Sequence, residues 1–174
     1  MSPSPADTHA ELLALHDEVD AESARLAETL GPRLRCGRGC HDCCADELSV
    51  FAVEAELIRE RHADLLATGT PHPVGACAFL DDEGSCRVYE SRPYRCRSHG
   101  LPLRWIEPGP DDIPVEHRDI CPLNEDGDPP LVELDETSCW TLGPVEGRLA
   151  ALQHETTGDL RRVALRSLFA NEAD

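Results

Sequence analysis

Four of the nine cysteines in this 174-residue chain fall within nine positions, Cys36-Gly37-Arg38-Gly39-Cys40-His41-Asp42-Cys43-Cys44. Thiols at two- and three-residue spacing can curl around one ion. Their soft sulfur selects zinc, iron or an iron–sulfur cluster over calcium or magnesium. The two glycines permit the positive φ values of a tight knuckle and bare backbone N–H groups that can bond thiolate sulfur. Cys36, Cys40, Cys43 and Cys44 are therefore the first candidate ligands, and His41, inside the cluster, reads as an exposed loop residue that could also ligate.

A second set follows in Cys77, Cys86 and Cys96, the last just beyond the turn expected at Arg92-Pro93. Cys77 and Cys86 fall on opposite arms of a hairpin predicted over 76–89, which would bring their sulfurs together. Cys121 and Cys139 are more isolated; Cys139 reads as a buried apolar side chain, and His99 is a further candidate ligand. Four thiolates satisfy a tetrahedral zinc or a four-iron cluster, so nine could serve two sites with one left over. The vicinal pair Cys43-Cys44 also points to two nearby sites or one polynuclear cluster, because adjacent residues seldom both reach one tetrahedral ion.

The formal net charge is −18, every basic residue is Arg, and seven of the 16 arginines lie in the stretches 33–44 and 86–97. Arginine beside the sulfurs would lower thiol pKa values and offset thiolate charge. Arg92 and Arg97 are accordingly expected to face the cluster, either as electrostatic support or as a cofactor- or substrate-binding site for an anion.

These residues resemble a known family. The order Cys36-x3-Cys40-x2-Cys43-Cys44, a Glu-rich helix, Cys77-x-Phe79-Leu80, then Cys86-x-Val88-Tyr89-x2-Arg92-Pro93-x2-Cys96-Arg97 is similar to the zinc- or iron-chelating CxxCxxCC domain of the YkgJ-type proteins. The likeness covers about 36–97 and extends loosely to Cys121. It implies metal chelation through these cysteines and adds Cys121 as a further ligand. A flagellin lysine methylase is a relative, which implies that an iron–sulfur, enzymatic use exists within the family. The spacing of Cys36, Cys40 and Cys43 also coincides with that of radical S-adenosylmethionine enzymes, but no succession of β-α units follows here.

Elements that could position these side chains are few. A tail over 1–6 precedes a single domain over 7–174, whose cysteine core spans about 34–140. Asp7 or Thr8 is expected to cap a first helix carrying Leu12, Leu15, Val19, Leu26 and Leu30 inward and ending at Gly31-Pro32. A second helix is predicted over about 51–67, extended pieces at Leu101–Ile106 and Leu131–Leu134, and helices over 144–154 and 159–170, the last capped by Asp159. The expected fold is a small α+β domain: a metal-stabilised, loop-rich cysteine core with a short β-hairpin, flanked by N- and C-terminal helices.

Composition removes several function classes. A phosphate backbone would be repelled by the acid excess, so no nucleic-acid partner is expected. No segment approaches the roughly 20 apolar residues of a membrane helix, and the first residues lack a secretory signal, so a cytoplasmic location is expected. Nine cysteines are an odd count and make up about 5% of the chain, below the roughly 8–10% of secreted disulfide scaffolds. Two functions follow from the residues. In the first, zinc, iron or an iron–sulfur cluster holds a loop-rich core together; in the second, an iron- or iron–sulfur-dependent enzyme modifies an anionic small molecule or peptide.

Overall fold

The computed structural model describes residues 4–37 and 39–170. Its longest element, α1 (Pro5–Leu30), starts at Ser4, whose extended backbone and hydroxyl, accepting from Asp7 N at 3.2 Å, make the N-cap. Proline suits the first helical position because its missing N–H would have no partner there. The cap thus lies upstream of the expected Asp7 or Thr8. Thr8 is buried instead, with its hydroxyl 3.2 Å from that of Thr156. Of the tail expected over 1–6, residues 1–3 lie outside the described residues, and residues 4–6 form the cap and the start of α1. The leucine stripe packs inward, and Gly31 at φ 50° ends the helix.

Strand β1 (Ser49–Phe51) leads directly into α2 (Ala52–Arg61), and a break at His62 separates this from α3 (Ala63–Thr68). One helix was expected where there are two. Glu54 fixes the start of α2 by accepting from Phe51 N at 3.3 Å and reaches across to Tyr94 N at 2.7 Å, at the head of the short helix α4 (Tyr94–Ser98). Then come the strands β2 (Leu103–Pro108), β3 (Pro114–Asp119) and β4 (Trp140–Thr141), helix α5 (Pro144–Thr157) and strand β5 (Arg162–Ala164).

Two small sheets result. One pairs β1 antiparallel to β5; the other has the order β3-β2-β4, antiparallel between β2 and β3 and parallel between β2 and β4. The fold is α+β, as expected, but three details differ. The hairpin expected over 76–89 is a tight turn carrying a single bridge, Leu80 to Cys86, while the true hairpin is β2–β3. The helix expected over 159–170 is β5 followed by a 3-10 turn at Arg166–Leu168. The stretch Leu131–Glu133 is likewise a 3-10 turn and not extended.

Two cores sit on either side of α2. Val53 and Leu57 join α1, Tyr94, Trp140 and Leu149 in the first, whereas Ala55 and Ile58 join Phe79, Val88, Leu165 and Phe169 in the second. Cys77 belongs to the second core, with Cys44 and Cys86 packed against it.

Candidate metal centre

The loop that carries the first cysteines is anchored at its base by a buried arginine. Arg33 donates Nε to Asn124 O at 3.1 Å, one terminal nitrogen to Pro129 O at 2.6 Å and the other to Glu125 O at 3.0 Å. Asn124, fully buried, then accepts from Arg35 N at 2.8 Å and donates to Gly100 O at 2.8 Å and to Cys36 Sγ at 3.1 Å. Asn124 N in turn bonds Cys121 O at 2.8 Å. One amide side chain thereby holds Cys36, Gly100 and the Cys121 segment together. Gly100 lies at φ 90°, and a Cβ there would sit 2.5 Å from Cys36 Sγ, so this close approach requires glycine. Beyond Cys36 the loop folds through two turns, with Cys40 N bonded to Gly37 O and Cys44 N to His41 O. Gly39 adopts φ 82°, as its place in a knuckle predicts. Arg38 lies outside the described residues.

A backbone bond from Cys77 N to Cys44 O, 2.8 Å long, ties the first cluster to the second. The turn between Cys77 and Cys86 is closed by Asp81, whose Oδ1 accepts from Glu83 N at 2.9 Å and Ser85 N at 2.7 Å. His41 packs on this turn: a Cβ at Gly84 would lie 2.6 Å from its Nδ1. Helix α4 contributes Cys96, and His99 at its end stands beside Cys43.

All nine cysteines are free. Their electrostatics separate them into neighbourhoods. Cys43 and Cys44 share a proton, so Cys43 ionises early, helped next by His99, while Cys44 is held protonated by Cys43, by burial and by the sulfurs of Cys77 and Cys96. Burial pushes the Cys96 thiol up to about 12, and Cys77 and Cys86 add to the effect. Burial also raises Cys77 and Cys86, and Cys77 raises Cys86 further. Cys121 is raised by desolvation and then by Cys36, Cys43 and Cys40. Cys44, Cys77, Cys86 and Cys96 thus influence one another, Cys36, Cys40 and Cys43 act on Cys121, and Cys43 acts on both groups. Cys139 does not join them; it is buried beside Trp140, and its thiol donates to Asp135 O at 3.7 Å.

The arginines are arranged differently from the expectation. Arg97 is buried and directs all three guanidinium nitrogens elsewhere: to Asp20 of α1, to Arg92 O at 2.9 Å and to Glu90 O at 3.0 Å. Arg92 stacks 3.9 Å from the Tyr89 ring and reaches the same Asp20 at 3.4 Å. These two side chains fasten α4 to α1 and do not form an anion site over the sulfurs; a carboxylate on the neighbouring helix outcompetes the thiols for them. Arg92 still favours the Cys86 thiolate, as do Arg87 at Cys86 and both Arg87 and Arg166 at Cys77. Arg166 and Asn124 were missed from sequence, because only the folded chain brings residues so distant to the cysteines.

Among the described residues, no three His, Cys, Asp or Glu side chains already stand in metal-binding geometry. The donor set nevertheless fits a thiophilic ion. Buried thiols that raise one another's pKa resist ionising together, and a cation in their midst relieves both burial and repulsion.

Residues 35–109 match the family model CxxCxxCC, described as a putative zinc- or iron-chelating domain. That segment spans seven of the eight expected ligands and leaves Cys121, Asn124 and Arg166 outside it. No curated protein and no solved structure matches the chain. No helix among the described residues is long and apolar enough to cross a membrane.

Proposed function

We propose that the protein binds two zinc or iron ions in neighbouring thiolate sites, divided at the vicinal pair. Cys44, Cys77, Cys86 and Cys96 would hold one ion, and Cys36, Cys40, Cys43 and Cys121 the other. The observation that carries this reading is how the loops are tied: Cys77 N bonds Cys44 O at 2.8 Å, whereas Asn124 donates its side-chain amide to Cys36 Sγ at 3.1 Å and its backbone N–H to Cys121 O at 2.8 Å. Four thiolates complete a tetrahedral zinc shell, so such sites would be closed and would contribute to folding free energy. If iron is the natural metal, the same two sets would hold iron–sulfur centres, whose chemistry is electron transfer. Arg87, Arg92 and Arg166 would offset part of the thiolate charge, and Asn124 would donate to the Cys36 sulfur. Nine free cysteines suit a reducing compartment such as the cytoplasm.

Elemental analysis of anaerobically purified protein tests the proposal. Two metal equivalents are expected per chain, with Cys77→Ser and Cys121→Ser each losing one. A single equivalent lost completely in both variants would refute the two-site division, and metal-free protein that takes up neither zinc nor iron would refute chelation. An absorption band near about 400 nm identifies iron–sulfur centres, and a colourless protein identifies zinc.

A further inference from the structure

Two buried titratable side chains face one another where α1, α2 and α4 meet, and neither belongs to the sulfur cluster. Glu54 of α2 is 4% exposed and His16 of α1 is 2% exposed. A carboxylate is costly to take out of water unless its oxygens are bonded, so its place in a core needs a reason. Among the described residues no arginine reaches Glu54. The His16 ring, whose nitrogens have no hydrogen-bond partner there, stands beside it with Nε2 3.6 Å from Oε1. What Glu54 does bind is two backbone N–H groups, Tyr94 N at 2.7 Å through Oε1 and Phe51 N at 3.3 Å through Oε2.

We propose that Glu54 is the positioning residue for the metal site of Cys44, Cys77, Cys86 and Cys96; this rests on the two-site reading above. Phe51 lies seven positions beyond Cys44, and Tyr94 lies two positions before Cys96. One carboxylate therefore spans the segment that leaves one thiol and the turn that delivers another. That turn is tight, with Cys96 N bonded to Pro93 O at 3.0 Å, so a shift of Tyr94 N carries Cys96 with it. Arg97 fastens α4 to α1 and the Tyr94 hydroxyl fastens it to α5, while Glu54 adds the tie to α2. Charge is not what Glu54 offers. After burial and the sulfurs of Cys77 and Cys86, its carboxylate adds to what keeps the Cys96 thiol protonated. Its contribution is geometric, and a neutral glutamine, whose carbonyl oxygen can accept from Tyr94 N, should replace it. The other four thiols are tied through Asn124 instead, so losing the Glu54 tie should empty one site and spare its neighbour.

The test exchanges the full chain as purified into cobalt(II), which takes the place of zinc or iron, and follows bound cobalt and its thiolate absorption against a competing chelator. Wild type should hold two equivalents, as should Glu56→Met, which alters an exposed carboxylate on the same helix. Glu54→Met should hold one equivalent firmly and lose the other at least tenfold more readily, and Glu54→Gln should restore it. Adding Cys121→Ser to Glu54→Met should remove the remaining cobalt, whereas adding Cys77→Ser should leave it. Two equivalents held equally well in Glu54→Met, or no restoration in Glu54→Gln, would overturn the proposal. Loss of both equivalents in Glu54→Met would also overturn it, by placing the effect in the fold, as would loss of the remaining cobalt on adding Cys77→Ser. Fewer than two equivalents in wild type would instead refute the two-site reading, and this proposal would fall with it.

Discussion

Cys40 and Cys139 are both thiols, yet their surroundings assign them opposite fates. Cys40 lies on the loop with Cys36 and contributes to the field at Cys121, whereas Cys139 is packed beside Trp140 and away from the other sulfurs. Replacing Cys40 by Ser should therefore lower bound metal and loosen the centre of the chain, and Cys139→Ser should leave metal content unchanged, as elemental analysis can show. Arg97 makes a different prediction. Its guanidinium group bridges Asp20 and two backbone carbonyls, so Arg97→Gln should destabilise the protein by about 2–3 kcal/mol in denaturant titrations. Metal per folded molecule should not change, because the side chain faces α1 and not the sulfurs. Seven of the cysteine ligand candidates could be read from local spacing, and Cys121 only from the family resemblance. The arginine partners could not, since Asp20 lies more than 70 positions from Arg97 and nothing in either neighbourhood announces the pair.

At the scale of elements, turns and caps decide how the thiols are presented. The segment after α4 must pass against Cys36, and Gly100 at φ 90° lets it do so. Gly100→Ala should cost about 1–3 kcal/mol from the left-handed backbone alone and displace Cys36 from Asn124, lowering metal retention in a chelator-competition assay. His62 marks the break between α2 and α3, where its Nε2 lies 3.0 Å from Ser91 Oγ. Burial, and then Arg61, holds its pKa below the ordinary value. A histidine so depressed contributes stability that is fully present above about pH 6.5 and is lost as pH falls through the lower folded value. His62→Gln should flatten that part of the stability–pH curve, by at most about 1.4 kcal/mol per pH unit in denaturant melts. The elements themselves were partly readable. The leucine period of α1 and the Gly31-Pro32 stop describe that helix well. The region around Leu160, Val163 and Leu168 has helical spacing too, but Arg162–Ala164 pairs with Ser49–Phe51. Asp159 there accepts from Arg161 N at 3.1 Å and from the Thr157 hydroxyl at 2.8 Å, closing a turn where a helix cap was expected. Pairing with a strand more than 100 residues away overrode a local preference, as short segments often allow.

Over the whole molecule, the two cores divide the labour. The first is a conventional assembly of α1, α2 and α5; the second has as many buried residues, but contains Cys77 and leans on the cysteines at its border. Metal binding can contribute on the order of 10 kcal/mol to such a fold. Stripping the ion with a chelator should therefore lower the thermal midpoint and raise hydrogen exchange first around 76–89, leaving α1 and α5 protected longer. Phe169, fully buried against Phe79 at a ring separation of 5.1 Å, closes this second core. Phe169→Ala should cost about 3–5 kcal/mol and speed metal release, measured as faster transfer to a colorimetric chelator.

The contribution of residues 162–169 to that closure bears on the order of events during synthesis. Leu165 N bonds Leu48 O at 2.9 Å, and Arg166 bonds Asp46, His72 O at 2.8 Å and Ala76 O at 3.0 Å, fastening the two ends of the cysteine-bearing loops. Arg162 follows Cys121, the last of the eight clustered thiols, by 41 positions. Translation at roughly 5–20 residues per second therefore leaves the cysteine-bearing loops outside the ribosome for seconds before this clasp is made. In that interval the nascent loops lack the ties to Leu48, Asp46, His72 and Ala76, which only the arrival of β5 and the turn after it supplies.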